Sequence, residues 1–130
     1  MTDTLLWGVR VLVVDDDMML LMMIEGMLED MGCESVVAVA TVKQALAVLD
    51  TGTFDVAMLD LNLNGDRSYP IADALAALNV PFLFSTGYGS GVVGEGYRDR
   101  PVLMKPYSFD QLVATLGRLL PSDRLLPEVT

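Results

Sequence analysis

The chain has 130 residues, enough for one domain with a real core, and its 52% hydrophobic content excludes an intrinsically disordered protein. A formal net charge of −10, with 8 lysines and arginines, argues against binding to the phosphate backbone of a nucleic acid. A single cysteine excludes an intrachain disulfide, and the absence of histidine excludes every form of histidine chemistry within this chain.

Short apolar runs alternate with amphipathic segments along the chain. The runs are nearly continuous in apolar residues, which is typical of strands covered on both faces. We predict strands over residues 10–14, 35–39, 54–59, 81–85 and 101–104. Strands that alternate with helices form parallel sheets with right-handed crossovers. We therefore expect one α/β domain over residues 1–121, followed by a loose C-terminal tail over residues 122–130.

Helices are predicted between and after these strands. The first is expected over residues 17–31 with Asp17 as its N-cap, and the third begins at about residues 68–70. The second and last begin at Thr41 and Ser108, each with a glutamine at capping-box spacing. Helical spacing marks the residues expected to pack on the sheet: Leu20, Ile24, Met27, Leu28 and Met31; Val42, Ala45, Leu46 and Leu49; Phe109, Leu112, Val113 and Leu116.

The segment between the fourth and fifth strands is rich in glycine, with five glycines over residues 87–96. Each glycine inside a helix costs about 1 kcal/mol relative to alanine, so the fourth helix should be short or mobile. Two interpretations stay open: a plain flexible loop, or a segment whose order changes with a signal.

Polar side chains stand where the predicted strands end. Asp15 and Asp16 follow the first strand, Asp60 the third, Thr86 the fourth and Lys105 the fifth. In a flavodoxin-like sheet of strand order 2-1-3-4-5, ligands bind at the carboxyl ends of the strands, near the point where the order reverses. Carboxylates crowded there need a compensating charge, and a hard divalent cation with oxygen ligands supplies one. We therefore predict an acidic, Mg²⁺-type pocket at this edge.

The sequence resembles a known family at these same positions. Four motifs in order are similar to those of the receiver domain of two-component response regulators: Val14-Asp15-Asp16, Met58-Leu59-Asp60, Phe84-Ser85-Thr86-Gly87 and Met104-Lys105-Pro106. Residues 82–89 and 62–70 also resemble the stand-alone subgroup called FATGUY receivers, with Ser85 where the subgroup's name has alanine.

The resemblance implies a role for each acidic residue. Asp60 would be the phosphoacceptor of a Mg²⁺-dependent reaction. Asp15 and Asp16 would hold the metal, together with Asp60 and the backbone carbonyl of Asn62.

The resemblance also implies roles for the other strand ends. Thr86 would be a switch hydroxyl that turns toward the phosphoryl group. Lys105 would pair with a phosphoryl oxygen, and its bond to Pro106 would be cis. Val102 replaces the aromatic residue that many receivers carry there, so we expect the signal to leave through residues 87–96 instead.

The implied partner is a sensor histidine kinase or a histidine phosphotransfer protein, and the output is protein–protein contact with an unidentified downstream protein. Met18 and Met22 on the first helix are expected to dock the kinase. We expect a stand-alone, cytoplasmic monomer that binds neither nucleic acid nor membrane. It would be no enzyme beyond its own phosphorylation and dephosphorylation.

Two other functions stay open. The spacing Asp15-x-Asp17 superficially fits a Mg²⁺-dependent phosphatase with an aspartyl nucleophile, although Met19 stands where a threonine or valine is expected. The second alternative is a receiver-like scaffold that is never phosphorylated.

Overall fold

The computed structural model describes residues 8–63, 65–87 and 100–120. The elements in chain order are β1 (Arg10–Val14), α1 (Met18–Asp30), β2 (Ser35–Val39), α2 (Val42–Thr51), β3 (Val56–Asp60), β4 (Asn62–Leu63), β5 (Asp66–Arg67), α3 (Tyr69–Ala77), β6 (Phe82–Thr86), β7 (Val102–Met104) and α4 (Phe109–Leu119).

Five parallel strands form the central sheet in the order β2-β1-β3-β6-β7. This confirms the α/β fold and the strand order 2-1-3-4-5 expected for a flavodoxin-like receiver domain. The register places Asp60 opposite Ser85 and Thr86 opposite Met104. Asp60 and Thr86 are thus the last residues of their strands rather than the first residues after them, and both reach the same edge of the sheet.

The core consists of two apolar layers, one on each face of the sheet. Along β1, Val11 and Val13 pack in the layer under α1 and α4, whereas Leu12 and Val14 pack in the layer under α2 and α3. Successive strand residues point to opposite faces, so a strand covered on both sides is apolar throughout. This explains the continuous apolar runs in the sequence.

The helix faces differ from the prediction at four positions. Leu21 is buried and Leu20 only half-buried, so the inward stripe of α1 begins at Leu21. The predicted stripe residues Ile24, Leu28 and Met31 are buried as expected. Leu46 and Phe109, both expected in the core, are 38% and 43% exposed. Consecutive helix residues lie about 100° apart, so Leu46 cannot share the narrow inward face of Ala45. Phe109 is the first residue of α4, so no preceding turn of the helix packs beside it.

The predicted caps form, with one variation. Asp17 caps α1 through its carboxylate, and Ser108 heads a complete capping box on α4. Thr41 accepts a hydrogen bond from the backbone N–H of Gln44 at 3.0 Å, but the Gln44 side chain accepts from the N–H of Ala40 instead of that of Thr41. The return hydrogen bond of the capping box on α2 therefore reaches one residue further upstream than expected.

A small antiparallel hairpin, β4–β5, follows β3 directly and was not predicted. Gly65 takes a positive φ of 95° at its turn, and the side chain of Asn62 accepts a hydrogen bond from the Gly65 N–H at 3.1 Å. Leu61 and Leu63 are buried and anchor the hairpin to the core. Strands of two residues carry no periodic signal that a sequence pattern can reveal.

Residue 64, residues 88–99 and the C-terminal residues 121–130 lie outside the described part. The predictions for the glycine-rich segment and for the tail therefore stay predictions. Among the described helices, none combines the length and the apolar character that crossing a membrane requires.

Candidate functional site

Three carboxylates meet at the carboxyl edge of the sheet, as predicted. Asp15 follows β1 and is 2% exposed, and Asp60 ends β3 and is 7% exposed. Asp16, which is half-buried, completes the group. One ligand oxygen from each of the three lies within 4.8 Å of the others. The strand register brings these side chains together.

Backbone hydrogen bonds fix the two buried carboxylates in place. The Asp15 N–H donates to the carbonyl of Val39 at 3.1 Å, which extends the β1–β2 ladder, and the Asp15 carboxylate accepts from the N–H of Asp17 at 2.9 Å. Beyond Asp60, the N–H of Leu61 donates to the Ser85 carbonyl at 2.9 Å. Both acidic side chains are thus held by an extension of the sheet.

Lys105 bridges the two buried carboxylates. Its Nζ lies 2.9 Å from Asp15 Oδ2 and 3.2 Å from Asp60 Oδ2. Its backbone N–H donates to the Thr86 carbonyl at 2.9 Å, which continues the β6–β7 ladder. The peptide bond from Lys105 to Pro106 is cis, as expected from the family resemblance.

The pocket holds more negative than positive charge. Burial, and then the neighbouring charge of Asp15, raise the pKa of Asp60 to about 6, although Lys105 opposes that rise. Burial alone would lower the pKa of Lys105, but its hydrogen bonds and charge interactions with Asp15 and Asp60 outweigh burial and raise it. One ammonium group therefore serves two buried carboxylates beside a third, half-buried one.

This donor set suits a hard divalent cation. Carboxylate and carbonyl oxygens are the protein ligands that Mg²⁺ prefers. Asp15, Asp16 and Asp60 offer three such oxygens at close range. The family resemblance implies the backbone carbonyl of Asn62 as a further ligand, and the side chain of Asn62 accepts a hydrogen bond from the Gly65 N–H.

The hydroxyl-bearing residues lie on the neighbouring strand. Ser85 stands opposite Asp60 in the ladder, and Thr86 is the next residue; both are buried. A Cβ at Gly87 would meet no described atom within 4 Å. All six residues named from the sequence lie at this edge of the sheet.

One residue beside the pocket was missed. The hydroxyl of Tyr107 is buried and has no hydrogen-bond partner in the part of the chain that the structure describes. Burial, and then the charges of Asp15 and Asp60, raise its pKa. Its place two residues after Lys105 could have signalled its proximity to the pocket, but not its lack of a partner.

The sheet order and the carboxylate cluster define a flavodoxin-like α/β domain with an acidic pocket at its switch point. Residues 11–117 match the family model described as response regulator receiver domain. The chain belongs to this family.

The chain is also similar to particular proteins. It is 31% identical over 117 residues to the transcriptional regulatory protein TcrA of Mycobacterium tuberculosis (strain ATCC 25618 / H37Rv), a match that covers 86% of this chain and 46% of TcrA. The chain thus spans about half the length of the curated relatives it matches.

Solved structures of one protein, SdrG, resemble this chain over most of its length. The solution structure of SdrG from Sphingomonas melonis Fr1 is 41% identical with a TM-score of 0.73. The BeF3-activated conformation of SdrG from Pseudomonas melonis Fr1 is 42% identical with a TM-score of 0.76. Each match covers 86% of this chain and 96% of the SdrG chain.

Proposed function

We propose that this receiver domain accepts a phosphoryl group on Asp60 in a Mg²⁺-dependent reaction. The donor is the phosphohistidine of a sensor histidine kinase or a histidine phosphotransfer protein. The observation that carries the proposal is the pocket itself, in which three carboxylates lie close together and one ammonium group bridges two of them. Family membership favours this function over the aspartyl-nucleophile phosphatase.

The chemistry requires an ionised carboxylate and no general base. A carboxylate oxygen of Asp60 attacks the phosphorus atom, and the phosphorus–nitrogen bond of the donor breaks. The bonding electron pair stays on the imidazole nitrogen of the donor, and an acyl phosphate remains on Asp60. With a pKa of about 6, Asp60 is mostly ionised at neutral pH. The donor histidine belongs to the partner, since this chain has no histidine.

The surrounding residues stabilise the transferred group. Mg²⁺, when bound by Asp15, Asp16, Asp60 and the Asn62 carbonyl, supplies positive charge that offsets the negative oxygens of the phosphoryl group. The Lys105 ammonium is already 3.2 Å from Asp60 and pairs with a phosphoryl oxygen after transfer.

Thr86 transmits the phosphorylation of Asp60 to the rest of the domain. Its position next to Ser85, which stands opposite Asp60, lets the hydroxyl donate to another phosphoryl oxygen. The BeF3-activated conformation of SdrG supports activation by a phosphoryl-like group in a protein 42% identical to this chain.

The partner docks on the exposed apolar face of α1. Met18 and Met22 are 63% and 69% exposed at the helix end that adjoins Asp15 and Asp16. Methionine side chains adapt their shape to a partner surface. The output is contact with a downstream protein rather than turnover of a separate substrate. The stand-alone, monomeric state, the cytoplasmic location and the absence of nucleic-acid and membrane binding stay predictions.

Intact mass spectrometry after incubation with acetyl phosphate tests the proposal. We expect the wild-type protein to gain one phosphoryl group with Mg²⁺ and none with EDTA. Asp60→Asn should gain none, whereas Asp66→Asn, a matched change at an exposed aspartate of the nearby hairpin, should behave as wild type. The absence of any gain from acetyl phosphate and from phosphoramidate would favour the unphosphorylated scaffold.

A further inference from the structure

Tyr107 brings an unused hydrogen-bond donor to the acidic pocket. It lies in the loop between β7 and α4, two residues after Lys105. Its ring packs against the core layer that contains Val13, Leu103 and Leu112. Its hydroxyl is buried, and no described residue forms a hydrogen bond with it.

A buried phenol without a partner is unfavourable, because it gives up its hydrogen bonds to water. Phenylalanine would provide the same ring for core packing without that penalty. The hydroxyl therefore contributes nothing to the stability of this state, which suggests that it has a partner in another state of the pocket.

The chemistry of the pocket indicates which partner. Burial and the charges of Asp15 and Asp60 keep the hydroxyl protonated, so it can donate but has no tendency to ionise. The carboxylates whose charges act on the hydroxyl are those of Asp15 and Asp60. Asp15 Oδ1 already accepts from the Asp17 N–H, and Asp15 Oδ2 accepts from Lys105.

Phosphorylation gives Lys105 a third acceptor for the three N–H groups of its ammonium. Its ammonium is shared between Asp15 and Asp60 and must then also serve a phosphoryl oxygen. As the ammonium is drawn toward the more strongly charged phosphoryl group, its bond to Asp15 Oδ2 weakens. A weakened hydrogen bond to a buried carboxylate oxygen is unfavourable, and a second donor compensates for it.

We propose that the Tyr107 hydroxyl donates to Asp15 when Lys105 turns to the phosphoryl group on Asp60. Tyr107 is thus a positioning residue. Its hydroxyl holds Asp15 in place in the activated state and forms no hydrogen bond with a described residue in the resting state. This inference rests on the proposed function.

The test compares the wild-type protein with Tyr107→Phe in three conditions: metal-free, with Mg²⁺, and with Mg²⁺ and beryllium fluoride, a mimic of the phosphoryl group. The variant should melt at the same or a higher temperature when metal-free, and Mg²⁺ alone should raise both melting temperatures equally. Calorimetric titration in saturating Mg²⁺ should give a dissociation constant for beryllium fluoride about 5- to 20-fold higher in the variant.

Two results would overturn the inference. One is an equal affinity of both proteins for beryllium fluoride. The other is a smaller response of the variant to Mg²⁺ alone, because Lys105 still holds Asp15 in that state. Failure of the proposed function looks different, since the wild-type protein itself would then not bind beryllium fluoride. Asp60→Asn, which lacks the acceptor, serves as the control for binding elsewhere.

Discussion

At the scale of single residues, the buried carboxylates that make the pocket reactive also lower the stability of the folded protein. Asp60 is a buried carboxylate next to Asp15, and their shared partner Lys105 does not fully offset the burial of both. A carboxylate in such a place is a poor contributor to the folded state and a good ligand for a cation. The uncompensated negative charge that lowers stability without metal also favours metal binding.

Replacing Asp60 by asparagine should therefore stabilise the metal-free protein at neutral pH. The folded pKa of about 6 lies above the ordinary value of 3.8, so ionisation of Asp60 weakens the fold as pH rises from about 4 to about 6, and the penalty persists above that range. We expect Asp60→Asn to raise the free energy of unfolding by about 1–3 kcal/mol at pH 7.5, measured by urea denaturation.

The pH dependence checks the cause of this gain. The difference between the two proteins should shrink toward pH 4, where the folded wild-type carboxyl is protonated and the unfolded one is close to its ordinary pKa of 3.8. It should also shrink with Mg²⁺, which offsets the charge of Asp60. A gain that stays constant from pH 4 to pH 7.5 would contradict the account.

At the scale of secondary-structure elements, α1 combines two functions. Its inner face, with Leu21, Ile24 and Leu28, packs on the sheet. Its outer face carries exposed methionines next to the pocket. The helix supports the fold with one face and offers the other to a partner.

Charges placed on this outer face should impair phosphotransfer from the cognate kinase and leave acetyl phosphate chemistry intact. We expect the double variant Met18→Glu/Met22→Glu to slow transfer at least about 10-fold, because it buries charge in an apolar contact. Leu46→Glu on α2, which packs on the other face of the sheet, is the matched control. Equal transfer rates in all three proteins would rule out docking through this face.

The sequence predicted these elements to different degrees. The strands were clear, because burial on both faces makes their residues apolar throughout, and the strand ends then located Asp15, Asp60 and Lys105. Helix faces were less certain, as Leu46 and Phe109 show, because an apolar residue at helical spacing can remain exposed. The β4–β5 hairpin and the unpartnered hydroxyl of Tyr107 depend on contacts that no local pattern encodes.

At the scale of the whole molecule, charge links stability to metal binding. The net charge is −10, so cations in general reduce self-repulsion. A specific site adds stabilisation that grows with the concentration of the bound ion. Millimolar Mg²⁺ should raise the melting temperature by several degrees more than NaCl of the same ionic strength. Equal effects of the two salts would argue against a metal site in the pocket.

The central claim is that Asp60 is the acceptor, and locating the modified residue tests it most directly. Borohydride reduces an acyl phosphate of aspartate to homoserine, which tandem mass spectrometry places in the sequence. After incubation with acetyl phosphate and Mg²⁺, we predict homoserine at position 60 alone, and none when EDTA replaces Mg²⁺. Homoserine at position 15 or 16, or a phosphorylated protein without homoserine at position 60, would contradict the account.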